Sequence, residues 1–129
     1  MISKFSDLQE MANEQPDPQR LLFLFAEVNS ESKKHKSQQK GTITPVMCVD
    51  KLPNEVSDFA SLVSEADDIA KNWDFMFIAS LSGDKGIAPT SKDAEPYLTK
   101  MTNDVMSGHN IARYVVFDRK ENPVELVAS

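Results

Sequence analysis

Residues 21 to 28 read LLFLFAEV, and this stretch constrains the fold more than any other. It is short, continuous and apolar, and it carries two phenylalanines. A run of this length suits a strand buried on both faces, since a half-exposed strand would alternate apolar with polar residues. A Leu-rich run this short also fits a buried helix turn, so the strand reading leans on its surroundings. Pro16 and Pro18 stand just before it, and the polar stretch NSESKKHKSQQKG follows over residues 29–41. That stretch holds no apolar residue. It reads as a flexible surface connector, because nothing in it offsets the entropy of ordering.

The rest of the chain alternates helix-like and strand-like periods. Phe5, Leu8, Met11 and Ala12 recur at helical spacing behind Ser3 or Ser6 as N-cap. PVMCVDK (45–51) and DFMFIASL (74–81) read as strands, and YVVF (114–117) as the last clear one. From Pro53 to about Lys71 a helix is expected, with Val56, Phe59, Leu62, Val63, Ala66 and Ile69 on its apolar face. A second helix starts near Ser91 with Asp93 and Glu95 in its first turns. Leu98, Met101, Val105 and Met106 form its stripe, and Gly108 ends it. The turn DRKENP then precedes VELV, which reads as a short returning edge strand.

The order is therefore α-β-β-α-β-α-β, with VELV as an optional last β. This predicts an α/β (or α+β) fold: one domain spanning 1–129, with helices packed on a mixed sheet of four to five strands. Strand–helix–strand repeats favour right-handed parallel crossovers. The strands at 45–51, 74–81 and 114–117 are thus expected to run parallel, with the first strand antiparallel to the second.

Composition narrows the function classes. The 129 residues carry a net charge of −6, which disfavours nonspecific contact with nucleic acid or anionic membrane. Lys33, Lys34, Lys36 and Lys40 with His35 form the one basic patch, without the interleaved aromatics that stack on bases. The N-terminus lacks the long apolar core of a signal peptide, and no apolar run reaches membrane-spanning length. A soluble cytoplasmic protein is expected. The single cysteine, Cys48, excludes an internal disulfide and reads as a buried structural thiol within its strand. His35 and His109 make no ligand pair, and Asp67 and Asp68 read as a solvated helix face. No metal and no cofactor are expected.

One stretch remains as a candidate site: SLSGDKGIAPTS, residues 80–91. In an open sheet with parallel strands, ligands bind beyond the strands' carboxyl ends. Asp50 and Lys51, then Ser82, Gly83 and Lys85, then Arg119 would meet there. Thr90 and Ser91 would sit at a helix start whose free N–H groups suit an anion. GDKG has neither the Walker nor the GxGxxG spacing. The competing reading is that Gly83 and Gly86 serve a turn and the polar residues are solvated.

PQRLLFLFA (18–26), ITPVMCVDKLP (43–53), WDFMFIASLSG (73–83) and APTSKDAEPYLTKM (88–101) together resemble a family of short proteobacterial proteins. These often carry the label "ribonucleotide reductase subunit alpha". The resemblance covers most of the chain outside the 29–41 connector. It implies bacterial kinship but supplies no catalytic residues, since reductase catalysis needs a reducing cysteine pair plus a thiyl cysteine. The expectation is a small non-catalytic binding or interaction protein, a regulator or a subunit of a larger assembly. Its partner would be another protein, and a homo-oligomer is compatible with it. The alternative is an enzyme or sensor acting on an anionic small molecule at the strand-end edge.

Overall fold

A computed structural model describes residues 2–28 and 43–126. The expected connector over 29–41 lies outside the described residues. Among these residues three helices pack on one four-stranded sheet: α1 is Phe5–Asn13, α2 Phe59–Ile69 and α3 Ser91–Ser107. The strands are β1 (Gln19–Val28), β2 (Ile43–Lys51), β3 (Phe75–Ser82) and β4 (Val115–Asp118), in the spatial order β2-β1-β3-β4. The α/β architecture is as the periodicity predicts.

The LLFLFA run is an inner strand, buried from Leu21 to Ala26 without a break. Its side chains alternate between two cores. Leu21, Phe23 and Phe25 face α1 and α2, in a cluster with Phe5, Phe59, Leu62, Trp73 and Phe117. Leu22, Leu24 and Ala26 face α3, in a cluster with Phe77, Ala94, Met101 and Val105. Aromatic edges tie the first cluster together: Phe25 meets Trp73 edge-on at 5.0 Å, and Phe59 meets Phe117 at 5.7 Å.

Strand direction differs from the sequence reading. The sheet is antiparallel at every pairing, and β4 runs against its neighbour β3, with Ile78 opposite Val115 and Phe75 opposite Asp118. β2 and β3 do share a direction, but β1 lies between them. The helical period identifies α3 without saying which way the chain returns. α3 starts beside Asp50 of β2, and the chain beyond it enters β4 next to the middle of β3. It therefore returns from the end at which β3 leaves, and the next strand must run the opposite way.

Local boundaries follow cap chemistry. α1 begins after Lys4, and the Asp7 carboxylate reaches back to accept from the Ser3 and Lys4 N–H groups. The expected helix from Pro53 breaks into a 3-10 turn at Pro53–Glu55 and a separate α2. Asp58 caps α2 by accepting from the Ser61 N–H at 2.8 Å. Thr90 caps α3 reciprocally with Asp93, and Gly108 ends it at φ +75°. Met11, Ile69 and Met106, expected on apolar faces, are exposed at the rims of those faces. The VELV return is a single bridge, Phe117 to Pro123, with the Val124 N–H donating to the Val116 carbonyl.

Cys48 is corrected from buried to exposed, because β2 is an edge strand with a neighbour on one side only. Partial desolvation, with the nearby Asp50 charge, holds its pKa above the usual thiol value, so the thiol stays protonated near neutrality. We expect Leu24→Ala to cost about 2–5 kcal/mol in urea unfolding, as for other cavities in a closed core. Cys48→Ser should stay within about 0.5 kcal/mol of the parent. A cysteine cost near that of the leucine would contradict this placement.

Candidate functional site

The antiparallel register divides the expected site. Lys51 lies opposite Leu21, and Ser82 lies opposite Gln19, so the ends of β2 and β3 share the edge where β1 begins. Asp50, Lys51, Ser82, Gly83, Lys85, Thr90 and Ser91 belong to that edge. Arg119 does not. Asp118 pairs with Phe75 at the start of β3, which carries Arg119 to the opposite end of the sheet.

At its own end Arg119 fastens the fold. Its guanidinium stacks 4.2 Å from the centre of the Trp73 ring and donates to the Asp67 carboxylate at 2.6 Å and the Trp73 carbonyl at 3.2 Å. Asp67 accepts from the Trp73 indole N–H at its other oxygen. Asp67, read from the sequence as a solvated face, is therefore a partner of both residues. The three groups tie α2, the segment leading into β3 and the end of β4 into one unit.

At the near edge the decisive residue is one that the sequence reading missed, Arg20 of β1. Its Nε donates to the Pro89 carbonyl at 2.6 Å, and its Nη1 to the Asp50 carboxylate at 2.7 Å. The Ser91 hydroxyl donates to the same Asp50 oxygen at 2.6 Å. Asp50, Arg20 and Ser91 thus close a polar triangle that anchors the start of α3 to the sheet. The protein's own carboxylate stands at the helix N-terminus where an incoming anion was expected. Thr90 and Asp93 satisfy one another, and Lys51 pairs with Glu65 at 2.9 Å. Asp93 is held below the usual carboxylate range by the Thr90 N–H, the Thr90 hydroxyl and the Arg20 charge.

The 80–91 loop is built as a tight turn. Asp84 and Ile87 exchange both backbone hydrogen bonds, and Lys85 and Gly86 between them have φ +53° and +78°. Two successive positive φ values are the geometry of a two-residue hairpin. Gly83 serves a different need. Its N–H donates to the Pro18 carbonyl at 2.8 Å, and an added Cβ would collide with the Ile87 carbonyl oxygen and lie 2.8 Å from that of Pro18. Between hairpin and helix lies a groove of about 500 Å³, lined by Gly83, Lys85, Ile87, Asp93 and Tyr97 among others. Asp84 and Asp93 outnumber Lys85 there. Ile87 is 71% exposed and Tyr97 51% exposed on its walls.

Two further polar clusters escaped the sequence reading. Gln19 is buried and completely used: its amide donates to the Asp17 carbonyl and the Ser82 hydroxyl, and it accepts from the Ser80 hydroxyl. Asp104 is buried on α3 and accepts from Tyr114 at 2.6 Å and Lys100 at 2.9 Å. These donors lower the Asp104 pKa, the Tyr114 hydroxyl foremost. Burial, then the hydrogen bond to Asp104, pushes Tyr114 up to about 12. A spacing signal for Asp104 existed, since it lies three residues after Met101 on the apolar stripe. For Gln19 and Arg20 the sequence offered none, because their partners are brought close only by the sheet.

No cluster of three or more His, Cys, Asp or Glu side chains suited to a metal occurs among the described residues. Nor is any described helix long and apolar enough to cross a membrane. Compared with protein-family models, curated proteins and solved structures, the chain finds no match.

Two outcomes follow. Gly83→Ala should cost upward of about 2 kcal/mol, because the colliding atoms are backbone. Gly86→Ala should cost about 1 kcal/mol, since it meets open space and only the φ is unfavourable. Urea midpoints of equal size would contradict these separate roles. On acid titration, Asp104 has a folded pKa below its ordinary 3.8. Its stabilising contribution is complete above that value and is lost as pH falls through the folded pKa. Tyr114→Phe should lower stability at pH 7 by about 1–3 kcal/mol and flatten the loss as pH falls through the folded Asp104 pKa.

Proposed function

We propose that this chain is a small non-catalytic interaction protein of the bacterial cytoplasm, working as a regulator or subunit of a larger assembly. Kinship with the short proteobacterial proteins labelled as reductase subunits is part of this reading; reductase catalysis is not. One cysteine on an exposed edge strand has no second thiol to form the redox pair that ribonucleotide reduction requires.

The observation that carries the reading is the internal neutralisation of the near edge. Every charged group expected to bind an anion there, except Lys85, is occupied by another side chain of the protein. Arg20 holds Asp50, Lys51 holds Glu65, and the cap of α3 is closed by Thr90 and Asp93. The same rim exposes Ile87 and Tyr97, which suit a protein partner better than a small anion.

A thermal titration separates this reading from an anion sensor or enzyme. A ligand at one hundred times its dissociation constant stabilises by about 2.7 kcal/mol. We expect inorganic phosphate and ATP to leave the melting temperature unchanged beyond the ionic-strength effect of matched chloride. Lys85→Ala should be equally silent. Stabilisation by either anion that Lys85→Ala abolishes would replace the interaction reading with the sensor reading.

A further inference from the structure

We infer that the outer edge of β3, at Ala79–Ser82, is a docking site for an extended acidic–apolar peptide of another protein, which adds to the sheet as a strand in line with β4. This inference rests on the interaction reading above and names its surface and the chemistry of its partner.

The edge is open because β4 is short. β3 pairs with β1 along its whole length, but with β4 only from Phe75 to Ile78. Past Val115 toward the N-terminus, Tyr114 and Arg113 leave the strand for a 3-10 turn, Ile111–Arg113. Ala79 to Ser82 therefore have no strand beside them on that side among the described residues. Ladder alternation gives the direction of the open groups. The Gly83 N–H points inward to Pro18, so the backbone groups of Leu81 and Ala79 also face β1. Those of Ser80 and Ser82 face outward, and both residues are exposed.

A groove flanks this open edge on each face of the sheet. On the α1 side, one of about 280 Å³ is lined by Leu8, Met11, Ile78 and Val115. On the α3 side, one of about 310 Å³ is lined by Leu22, Leu81, Tyr97, Met101 and Tyr114. Both grooves reach Ala79 and Ser80. Side chains of an added strand point alternately to the two faces, so its successive residues would enter the two grooves in turn. Backbone bonds to Ser80 and Ser82 would supply affinity, and the grooves would select apolar side chains.

Charge specifies the partner further. Arg113 lines both grooves, is exposed, and has no ion pair among the described residues. Lys100, the other cation at the α3 groove, is already held by Asp104. An Asp or Glu within the incoming strand would therefore pair with Arg113. The other free margin of the sheet is β2, which carries Pro45 and a register shift opposite Phe25 and Ala26. Proline and bulges obstruct strand addition, and the β3 edge has neither.

The test uses the full chain and a displayed library of ten-residue peptides that alternate apolar and polar positions and vary one central position among Glu, Gln and Lys. Selected binders are followed by amide chemical shifts and hydrogen exchange. We expect Glu-bearing peptides to be enriched and to protect the Ser80 and Ser82 amides at least tenfold. N-methylation of alternate peptide amides should abolish binding. Arg113→Glu should weaken Glu peptides at least tenfold while restoring the matching Lys peptides, with an unchanged melting curve. Arg113→Gln serves as a second variant if the charge reversal disturbs the fold. An empty selection, binding indifferent to Arg113, or a dimer of the chain already protecting Ser80 and Ser82 would each overturn the inference. Peptides selected onto the Ile87–Tyr97 rim would overturn it while leaving the interaction reading intact, whereas anion binding through Lys85 would remove that reading itself.

Discussion

Burial of β1 on both faces, from Leu21 to Ala26, is the constraint on which the rest of this structure depends. A strand whose side chains are apolar on both faces must have a packed layer on each, and one whose backbone is buried must be paired along both edges. α1 and α2 cover one face, α3 covers the other, and β2 and β3 flank the strand. The first and second requirements meet at the strand's beginning, where burial would otherwise strand two polar residues. Gln19 is hydrogen-bonded by Ser80, Ser82 and the Asp17 carbonyl, and Arg20 by the Asp50 carboxylate and the Pro89 carbonyl. The near edge is therefore polar because the inner strand begins there, and its charges are already matched for the same reason.

That matching explains how much of the molecule the sequence revealed. Element types were legible wherever one chain segment contains its own signal. The helical stripe of α3, its cap region near Ser91 and its end at Gly108 were read from local pattern, as was the strand character of LLFLFA. Direction was not legible. A helix between two strands obeys the same periodicity whether it returns the chain parallel or carries it across to enter from the other end. The misplacement of Arg119 follows from that one ambiguity, because it decides to which end of the sheet the last strand delivers its final residues. Cys48 was misjudged for a related reason: apolar neighbours in sequence do not say whether a strand is inner or edge.

The candidate residues divide along the same line. Gly83 and Gly86 were correctly suspected of serving geometry, since glycine within a short polar loop has few other uses. The structure separates their reasons, with a close backbone approach at Gly83 and a positive φ at Gly86. Asp50 and Ser91 were singled out for their chemical type, and they do converge. What the sequence could not supply was Arg20, half-buried at the start of an apolar strand and far along the chain from both. A charged side chain next to an apolar run is ambiguous until its partner is known.

The two margins of the sheet show how the same demand leaves one place unfinished. β2 pairs with β1 from Leu21 to Val28, and its own free edge is interrupted by Pro45 and a bulge. β3 pairs over its whole length with β1, from Gln19 to Ala26, but β4 covers only half of β3, because the turn after α3 takes up Ile111–Arg113 before the strand can start. Tyr114 itself is extended; its N–H donates to the Ile111 carbonyl and its hydroxyl to the buried Asp104 carboxylate. The short β4, and with it the open backbone at Ser80 and Ser82, thus follows from the 3-10 turn that stands between the end of α3 and Val115. The Asp104–Tyr114 hydrogen bond fastens the residue after that turn to α3, so the connection that leaves the edge open is itself held to the helix.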